Sequence, residues 1–416
     1  MSALFEIKEE RERVILLGVQ VSDNDDTMES LAELKELAKT AGAETLDIIV
    51  QNRESVHPGT YIGKGKIEEV GMRVAELDAT GVICDDELSP AQLKNLEAAL
   101  QCKVMDRTML ILDIFAQHAV TREGKIQVEL AQLKYRQSRL VGMHASLSRL
   151  GGGIGTRGPG EKKLEIDRRL IRDRIANLNR ELAEVKKNRE VARALRSKNL
   201  IPVAAIVGYT NAGKSTLLNH LTNAGVLEEN MLFATLDPTT RNLELESGEQ
   251  LLLTDTVGFI RKLPHHLIDA FRSTLEEAKY SDFILHIVDA SNEEAEKQMY
   301  VVYETLRQLE VKDKPIITVF NKKDLITSER IIKDLKADAS VWISAKTGDG
   351  VEKLLETISD LLKEQKMLVE KVFSYAEAGK IQQIRKYGQL LEEEYREDGI
   401  FVRAYVPKEV FYAIEK

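Results

Sequence analysis

Residues Gly208 to Ser215 have the spacing Gly-x-x-x-x-Gly-Lys-Ser, which is typical of a loop that binds phosphate. An apolar run over 201–207 predicts a buried parallel strand before the loop, and 215–222 predicts a helix after it. In this arrangement backbone N–H groups and the helix dipole face an anion. Lys214 is expected to reach the β- and γ-phosphates, and the Ser215 hydroxyl to hold Mg²⁺. The residues expected to line the phosphates are Gly208, Tyr209, Thr210, Asn211, Ala212, Gly213, Lys214, Ser215 and Thr216.

A second motif, Asp255-Thr256-Val257-Gly258, ends another apolar strand forty residues after Ser215. The spacing Asp-x-x-Gly at this place is typical of the magnesium side of a nucleotide site, where Asp255 holds the ion through water. The backbone N–H of Gly258 is expected to contact the γ-phosphate and to move when that phosphate leaves.

The segment between these two motifs is expected to supply a threonine that closes over Mg²⁺ and the γ-phosphate. It begins with Phe233, Ala234 and Thr235, and we assign the role to Thr235, with Thr239 and Thr240 as alternatives. The residues expected to act on the transferred phosphate are then Lys214, Thr235 and Gly258. Those expected to hold the metal are Ser215, Thr235 and Asp255.

Two later motifs indicate that the base is guanine. The run Asn321-Lys322-Lys323-Asp324 follows an apolar strand over 316–320, and Ser344-Ala345-Lys346 follows the next strand. Asp324 can accept from both N1–H and the 2-amino group of guanine, whereas adenine would leave a buried carboxylate unpaired at a cost of about 1–3 kcal/mol. The asparagine is expected to support its loop, the first lysine to lie over the base, and the second motif to offer an N–H to guanine O6. The expected ligands are GTP and GDP with Mg²⁺.

Two residues shape the expected rate of hydrolysis. Phe259 follows Gly258 at the place where many signalling GTPases have a glutamine that orients water. Because phenylalanine cannot hydrogen-bond water, unassisted hydrolysis is expected to be no faster than roughly 10⁻⁴ per second. Asn211 lies inside the phosphate loop, and its amide oxygen serves either to coordinate K⁺ between the phosphates or to hydrogen-bond within the loop. Both interpretations stay open.

The elements that must position these motifs predict an α/β protein with four regions. Residues 1–120 alternate strand and helix patterns and predict a parallel α/β domain, in which Ser89 caps a helix that begins at Pro90. Residues 201–365 predict the doubly wound sheet of a P-loop GTPase, with its ligands at the carboxyl ends of the strands. Residues 366–416 predict a small C-terminal α+β domain.

Three further helices and one loop are predicted from apolar spacing and glycine content alone. Within the GTPase domain we expect helices over 267–279 and 328–335, and within the last domain a helix over 379–395 between strands at 367–374 and 400–406. The glycine-containing loop from Gly59 to Lys66 is compatible with anion binding, but a tight turn before a helix is the commoner role of such a stretch.

Residues 121–200 differ from the α/β regions. Apolar residues fall near heptad spacing from Ile126 to Leu140 and recur every seven residues from Leu164 to Val185, which predicts a hairpin of two long antiparallel helices. The ten residues between the arms, from Gly151 to Gly160, include six glycines and are expected to form no helix. This stretch is either a plain flexible connector or a tip that binds phosphates. We favour the second, because its glycines let the backbone approach phosphates closely and arginines and lysines flank it.

Charge is distributed unevenly along the 416 residues. The region 121–200 contains 20 Lys plus Arg and 9 Asp plus Glu, a balance of +11, so the rest of the chain carries −20 within a total of −9. A basic segment in an acidic protein suggests a face directed at a polyanion, although a solvated charged helix gives the same count.

Length, cysteine content and apolar runs indicate the number of domains and the cellular compartment. The length suggests two to four domains, and the only cysteines, Cys84 and Cys102, are expected to be reduced thiols. The first residues do not have the pattern of a signal sequence, and no apolar run approaches the roughly 18 residues of a membrane span. We therefore expect a cytoplasmic monomer.

Longer stretches carry a resemblance to a known family. The nucleotide motifs are similar to those of translation-factor-related GTPases in which a hydrophobic residue replaces the glutamine. Three N-terminal stretches resemble the HflX family of ribosome-associated GTPases, and the similarity extends over essentially the whole chain. These stretches are His57-Pro-Gly-Thr-Tyr-Ile-Gly-Lys-Gly-Lys66, Asp106-Arg-Thr108 and Ser148-Arg-Leu-Gly-Gly-Gly-Ile-Gly-Thr-Arg-Gly-Pro-Gly-Glu161.

That resemblance implies a protein that binds the large ribosomal subunit and its rRNA through the 121–200 hairpin, with the 151–160 tip near the peptidyl-transferase region. It also implies hydrolysis stimulated by the subunit, splitting of stalled or idle ribosomes, notably under heat stress, and in some members hydrolysis of ATP. The sequence shows no second nucleotide motif, which leaves the N-terminal domain as the candidate for ATP.

Other functional classes compete with this one. A GTPase in ribosome assembly would share every nucleotide motif. An RNA-modification GTPase needs a further catalytic residue, for which the chain offers no cysteine motif or metal cluster. A membrane-linked switch, with the hairpin as a partner-binding coiled coil, would need a span or a lipidation signal that the sequence does not contain.

Overall fold

The computed structural model describes residues 11–22, 26–147, 159–197, 201–222, 232–233, 239–246, 248–262, 276–326 and 332–415. The chain divides into two compact units. The N-terminal unit comprises residues 1–184 and two short later segments, 230–236 and 261–271. The second unit comprises residues 185–229, 237–260 and 272–416.

A parallel four-stranded sheet of order β2-β1-β3-β4 lies at the centre of the N-terminal unit. Its strands are β1 (Arg13–Gln20), β2 (Glu44–Asn52), β3 (Gly81–Cys84) and β4 (Lys103–Asp106). The helices are α1 (Thr27–Thr40), α2 (Lys64–Glu76), α3 (Pro90–Leu100) and α4 (Arg107–His118). The predicted parallel α/β fold is confirmed, and α4 is an addition that directly follows β4.

Local side-chain hydrogen bonds fix two turns of this unit. At the start of α3 the Ser89 hydroxyl accepts from the backbone N of Gln92, and the Gln92 amide oxygen accepts from Ser89 N. Before α2 the Nδ1 of His57 accepts from the backbone N–H groups of Gly59 and Thr60 at 3.2 and 3.1 Å. These two N–H groups of the glycine-containing loop thus serve a tight turn, the commoner of its two expected roles.

Two long helices follow, α5 (Arg122–Leu147) and α6 (Pro159–Ser197). Arg174 on α6 forms a two-bond ion pair with Glu129 near the start of α5, and Arg168 donates to the carbonyl of Leu140 near its end. The helices are therefore antiparallel, as predicted. The structure places Pro159 and Gly160 in the first turn of α6, not in the glycine-rich tip, because proline is well suited to a first helical turn. The rest of the tip lies outside the described residues.

The second unit contains a six-stranded sheet of order β10-β9-β8-β5-β7-β6, in which only β6 is antiparallel to its neighbour among the described strands. Its strands are β5 (Val203–Gly208), β6 (Thr239–Glu244), β7 (Gln250–Asp255), β8 (Phe283–Asp289), β9 (Ile316–Asn321) and β10 (Ala339–Trp342). The helices are α7 (Lys214–Thr222), α8 (Glu277–Tyr280), α9 (Ala295–Gln308) and α10 (Val351–Glu364). The predicted doubly wound GTPase sheet is confirmed.

Two predicted helices of this region have different outcomes. Of the helix expected over 267–279, only α8 at its end lies within the described residues. The helix expected over 328–335 is wrong for the described residues 332–335, which form no helix. There the Asp334 carboxylate accepts from the Tyr303 and Thr318 hydroxyls and from the backbone N of Lys336, and these bonds hold a turn instead.

The chain ends in a small α+β subdomain with an antiparallel sheet of order β11-β13-β12. Its elements are β11 (Met367–Phe373), α11 (Ala378–Tyr387), β12 (Gln389–Arg396), β13 (Gly399–Val406) and α12 (Lys408–Glu415). The helix expected over 379–395 is therefore too long, since it ends at Tyr387 and β12 follows Gly388. No described helix combines the length and the apolarity that crossing a bilayer requires.

Candidate nucleotide-binding site

The loop after β5 contains two residues in the left-handed region of φ. Gly213 has φ +94°, and a Cβ there would collide with the side-chain amide nitrogen of Asn321. Asn211 also takes a left-handed conformation, with φ +60°. The loop then runs directly into α7, whose first residue is Lys214. The strand, the loop and the N-terminus of the helix are thus arranged as the sequence predicts.

Lys214 is buried beneath this loop, with 7% of its surface exposed. Its Nζ donates to the carbonyls of Tyr209 at 2.8 Å and Gly208 at 3.3 Å. Burial lowers the pKa of Lys214 to about 8, although the negative charge of Asp255 partly opposes this effect. The ammonium group is therefore held in a low-dielectric position, and an anionic phosphate beside it would raise its pKa again.

Ser215 and Asp255 form the part of the site that suits a divalent cation. The Ser215 hydroxyl donates to Asp255 Oδ2 at 3.0 Å, and Asp255 is fully buried at the end of β7. A hydroxyl and a carboxylate are the hard oxygen ligands that Mg²⁺ prefers, and this ion commonly takes its other ligands from water and substrate phosphates. These two residues therefore fit Mg²⁺.

The second motif approaches the phosphate loop closely. A Cβ on Gly258 would lie 2.9 Å from the Nζ of Lys214 and 2.9 Å from the Cα of Thr210. The next residue, Phe259, pairs with the loop through its backbone, since its N donates to the Gly208 carbonyl at 3.1 Å and its carbonyl accepts from Thr210 N at 2.8 Å. Thr256 and Val257 are buried between the strand and this pairing.

Asn321 joins the two loops that are expected to contact the base and the phosphates. Its Nδ2 donates to the carbonyl of Ala212, and its Oδ1 accepts from the backbone N of Ala345, both at 2.9 Å. Ser344 and Ala345 are buried, and Lys346 is exposed beside them. The predicted supporting role of Asn321 therefore has a direct geometric basis.

The lysine and aspartate of the same motif have different environments. Lys322 has φ +61°, and its Nζ lies 2.7 Å from Oδ2 of Asp289 at the end of β8. Asp324 lies in a 3₁₀ turn (Lys323–Leu325) and is exposed, whereas the sequence motif predicts a buried carboxylate. Only a bound base would shield this carboxylate from water. Asp289 was not among the predicted site residues, and its only sequence signal is an acidic residue at a strand end.

The segment expected to close over the γ-phosphate is described only in part. Ala234 and Thr235 lie outside the described residues. Phe233 belongs to the N-terminal unit, where its ring packs edge to face against Phe115 with centroids 4.7 Å apart. Thr239 and Thr240 are on β6, and the Thr240 hydroxyl is hydrogen-bonded to that of Thr254 at 3.0 Å.

A cluster of charges in the N-terminal unit includes a residue that follows the second motif. Arg107 is 2% exposed, forms an ion pair with Asp85 at 2.9 Å and contacts Glu33. Lys262 completes the cluster, with its Nζ 2.6 Å from Asp85 and 2.7 Å from Asp86. Sequence patterns gave no sign of this pairing, because its members lie 177 positions apart.

Comparison with known families and proteins gives consistent matches along the chain. The GTP-binding GTPase N-terminal family matches residues 28–116, the GTP-binding GTPase Middle Region family matches 118–196, and the 50S ribosome-binding GTPase family matches 203–322.

Individual proteins match over most of the chain. The GTPase HflX of Lacrimispora saccharolytica is 67% identical over 414 residues, which cover 100% of this chain and 98% of that protein. The GTPase HflX of Escherichia coli is 42% identical over 362 residues, 86% of this chain and 85% of that protein. A GTP-binding protein of Sulfolobus solfataricus, crystallised with GDP, is 26% identical over 85% of this chain and 99% of its own, with a TM-score of 0.46. The two sequence matches, which cover 100% and 86% of this chain, and the three consecutive family matches show that the chain belongs to the HflX family of GTPases.

Proposed function

We propose that the protein uses GTP at the large ribosomal subunit to split or recycle stalled or idle ribosomes. The observation that carries the proposal is the ring of Phe259, 2% exposed, directly after Gly258. An apolar side chain cannot orient the attacking water, so the isolated protein needs another group for fast hydrolysis. The match to the 50S ribosome-binding GTPase family supports the large subunit as the source of that group.

The phosphate side of the site would act as follows. Lys214 contacts the β- and γ-phosphates, and the N–H of Gly258 donates to the γ-phosphate. Ser215, Asp255 and Thr235 would hold Mg²⁺, which when bound offsets the negative charge of the phosphate oxygens. The 3.0 Å bond between the first two supports this assignment. Asn211 lies in the same loop, and K⁺ dependence of turnover would assign its amide oxygen to a cation.

The base side would select guanine. Asp324 accepts from N1–H and the 2-amino group, the Lys322 side chain covers the ring, and a backbone N–H of Ser344, Ala345 or Lys346 reaches O6. The bonds of Asn321 to Ala212 and Ala345 support this arrangement, because they fix the base side relative to the phosphate side.

The helical hairpin would supply contact with rRNA. Several cations on α5 and α6 are exposed, and Arg169 has 83% of its side chain accessible. These exposed cations are Lys125, Arg136, Arg169, Arg172, Arg180 and Lys187. In the proposed cycle the GTP-bound monomer binds the large subunit in the cytoplasm, its 151–160 tip approaches the peptidyl-transferase region, and hydrolysis releases it.

The decisive experiment measures GTP turnover with and without purified large subunits. We expect stimulation of more than about tenfold, since completing an unassisted GTPase site has large effects on its rate. Absence of stimulation over a full concentration series would contradict the proposal. Stronger stimulation by precursor particles than by mature subunits would favour a role in ribosome assembly, and an altered nucleotide in the RNA would favour RNA modification.

Variants can locate the coupling element. Replacing residues 151–160, or changing Arg169 and Arg172 to Glu, should abolish stimulation and leave GDP affinity unchanged. Arg307→Glu is the matched control, because this exposed arginine on α9 pairs with Glu304 on the same helix. If about six phosphates are contacted, the plot of log affinity against log salt should have a slope of about −4 to −5.

A further inference from the structure

Asp289 is a charged residue beside the nucleotide site to which neither the motifs nor the GTPase reaction assigns a role. It ends β8, in register with Asn321 on β9. Its Oδ2 lies 2.7 Å from the Nζ of Lys322, and the carboxylate and ammonium side chains are 14% and 23% exposed. A half-buried ion pair with this geometry holds two side chains more firmly than an exposed pair does.

The carboxylate of Asp289 is itself held in place. Its other oxygen, Oδ1, accepts from the backbone N of Ser291 at 3.0 Å and from the Ser291 hydroxyl at 2.6 Å. The backbone N of Ala290 donates to the carbonyl of Asn321 at 3.0 Å. Asp289 is thus fixed by its own turn and by the adjacent strand, before any contact with Lys322 is counted.

The backbone of Lys322 is constrained as well. Its φ of +61° is unusual for a residue with a Cβ, and it begins the turn that contains Asp324. A long lysine side chain loses much rotamer freedom when it is ordered, and a preformed partner reduces the loss on ligand binding. The ion pair can therefore set the direction of the lysine stem before nucleotide arrives.

We infer that Asp289 is a positioning residue that holds the Lys322 side chain in the orientation in which it covers the purine ring. This inference rests on the proposed role of Lys322 over the base. Asp289 then contributes to the affinity for the nucleoside part of GTP and GDP, and it contributes nothing to the affinity for their phosphates. Because the stem covers the face of the ring, the contribution does not depend on the 2-amino group that Asp324 recognises.

The test is a binding series with the full chain and three ligands, GDP, IDP and inorganic tripolyphosphate. Asp289→Ala should weaken GDP and IDP equally, by about 5- to 20-fold, and should change tripolyphosphate affinity less than twofold. Lys322→Ala should do the same. The double variant should bind GDP no more weakly than Lys322→Ala alone, because the two side chains act as one unit.

Asp349→Ala is the matched control. Asp349 pairs at 2.8 Å with Lys323, the residue after Lys322 in the same motif, but both side chains of this pair are about half exposed. We expect less than a twofold change for this variant. Asp289→Glu should recover part of the lost GDP affinity, which a mere loss of local folding would not allow.

The outcomes separate two failures. If Lys322→Ala leaves GDP affinity unchanged, the proposed role of Lys322 is wrong. If Lys322→Ala weakens GDP binding but Asp289→Ala does not, only the inference about Asp289 fails. Equal losses for GDP and tripolyphosphate, or additive losses in the double variant, would also overturn it, since they would show a general disturbance of the site.

Discussion

Gly258 lies so close to Lys214 that a Cβ at position 258 would approach the lysine Nζ to 2.9 Å. The same Cβ would meet the Cγ2 of Thr210 at 2.7 Å. The buried ammonium group therefore leaves no room for a side chain at position 258. The backbone N–H of the same residue is expected to donate a hydrogen bond to the γ-phosphate.

Gly258→Ala should reduce GTP turnover on large subunits by at least about tenfold, because the added methyl group displaces Lys214 or the phosphate loop. Turnover at saturating GTP is the measurement. Gly379→Ala is a suitable control, since a Cβ there meets nothing within 4 Å. Unchanged turnover in the Gly258 variant would mean that the loop adjusts freely.

Nucleotide affinity should fall as pH rises above about 8. Burial lowers the pKa of Lys214 to about 8 in the free protein, whereas a bound polyphosphate raises it again. Binding above that pH therefore requires proton uptake, and the dissociation constant of GDP should increase about tenfold from pH 7 to pH 9. Below about pH 7 the lysine is already protonated, so affinity should be flat there.

The matched variant for the pH experiment is Lys214→Arg. A guanidinium keeps its charge over this range, so the variant should show no such decrease even if its affinity is lower throughout. Parallel pH profiles for the two proteins would assign the decrease to another group.

Asp324→Asn should exchange guanine for xanthine as the preferred base. The asparagine amide can donate to the 2-oxo group of xanthine, but it cannot accept two N–H groups of guanine as a carboxylate does. We expect GDP affinity to fall by about 10- to 100-fold and xanthosine diphosphate to bind better than GDP. Competition binding with both nucleotides is the measurement, and equal affinities would show that the exposed carboxylate does not reach the base.

Arg107→Ala should lower the free energy of unfolding of the N-terminal unit by about 3–5 kcal/mol, because it removes the buried guanidinium that pairs with both Asp85 and Glu33. Arg13→Ala is the control, since the Asp78 partner of Arg13 is 90% exposed, and the expected loss is below about 1 kcal/mol. Hydrogen exchange of β1 and β3 measures the difference. Similar losses for the two variants would contradict the importance of the buried pair.

Much of the nucleotide site could be predicted from sequence because its parts are local. The phosphate loop, the Asp255 motif and the Asn321 motif each occupy a few consecutive residues at a strand end, where a parallel sheet brings strand ends to one edge. The pairing of Asp289 with Lys322 could not be predicted in this way. It depends on the register between β8 and β9, and no spacing along the chain encodes that register.

The wrong predictions also have non-local causes. The sequence of β12, rich in leucine and glutamate, favours a helix, but its pairing with β13 across a two-residue turn determines the strand. Likewise, residues 332–335 are held as a turn by Tyr303 and Thr318, which lie on other elements. Burial of Asp324 was expected from a site with a base in place, whereas the carboxylate is exposed in its turn.

The backbone pairing after Gly258 has a mechanical consequence. Phe259 is hydrogen-bonded on both sides to the phosphate loop, through the carbonyl of Gly208 and the backbone N of Thr210. A single peptide unit joins Gly258 to this fixed residue. A shift of Gly258 on loss of the γ-phosphate would therefore act directly on the loop that holds the remaining phosphates.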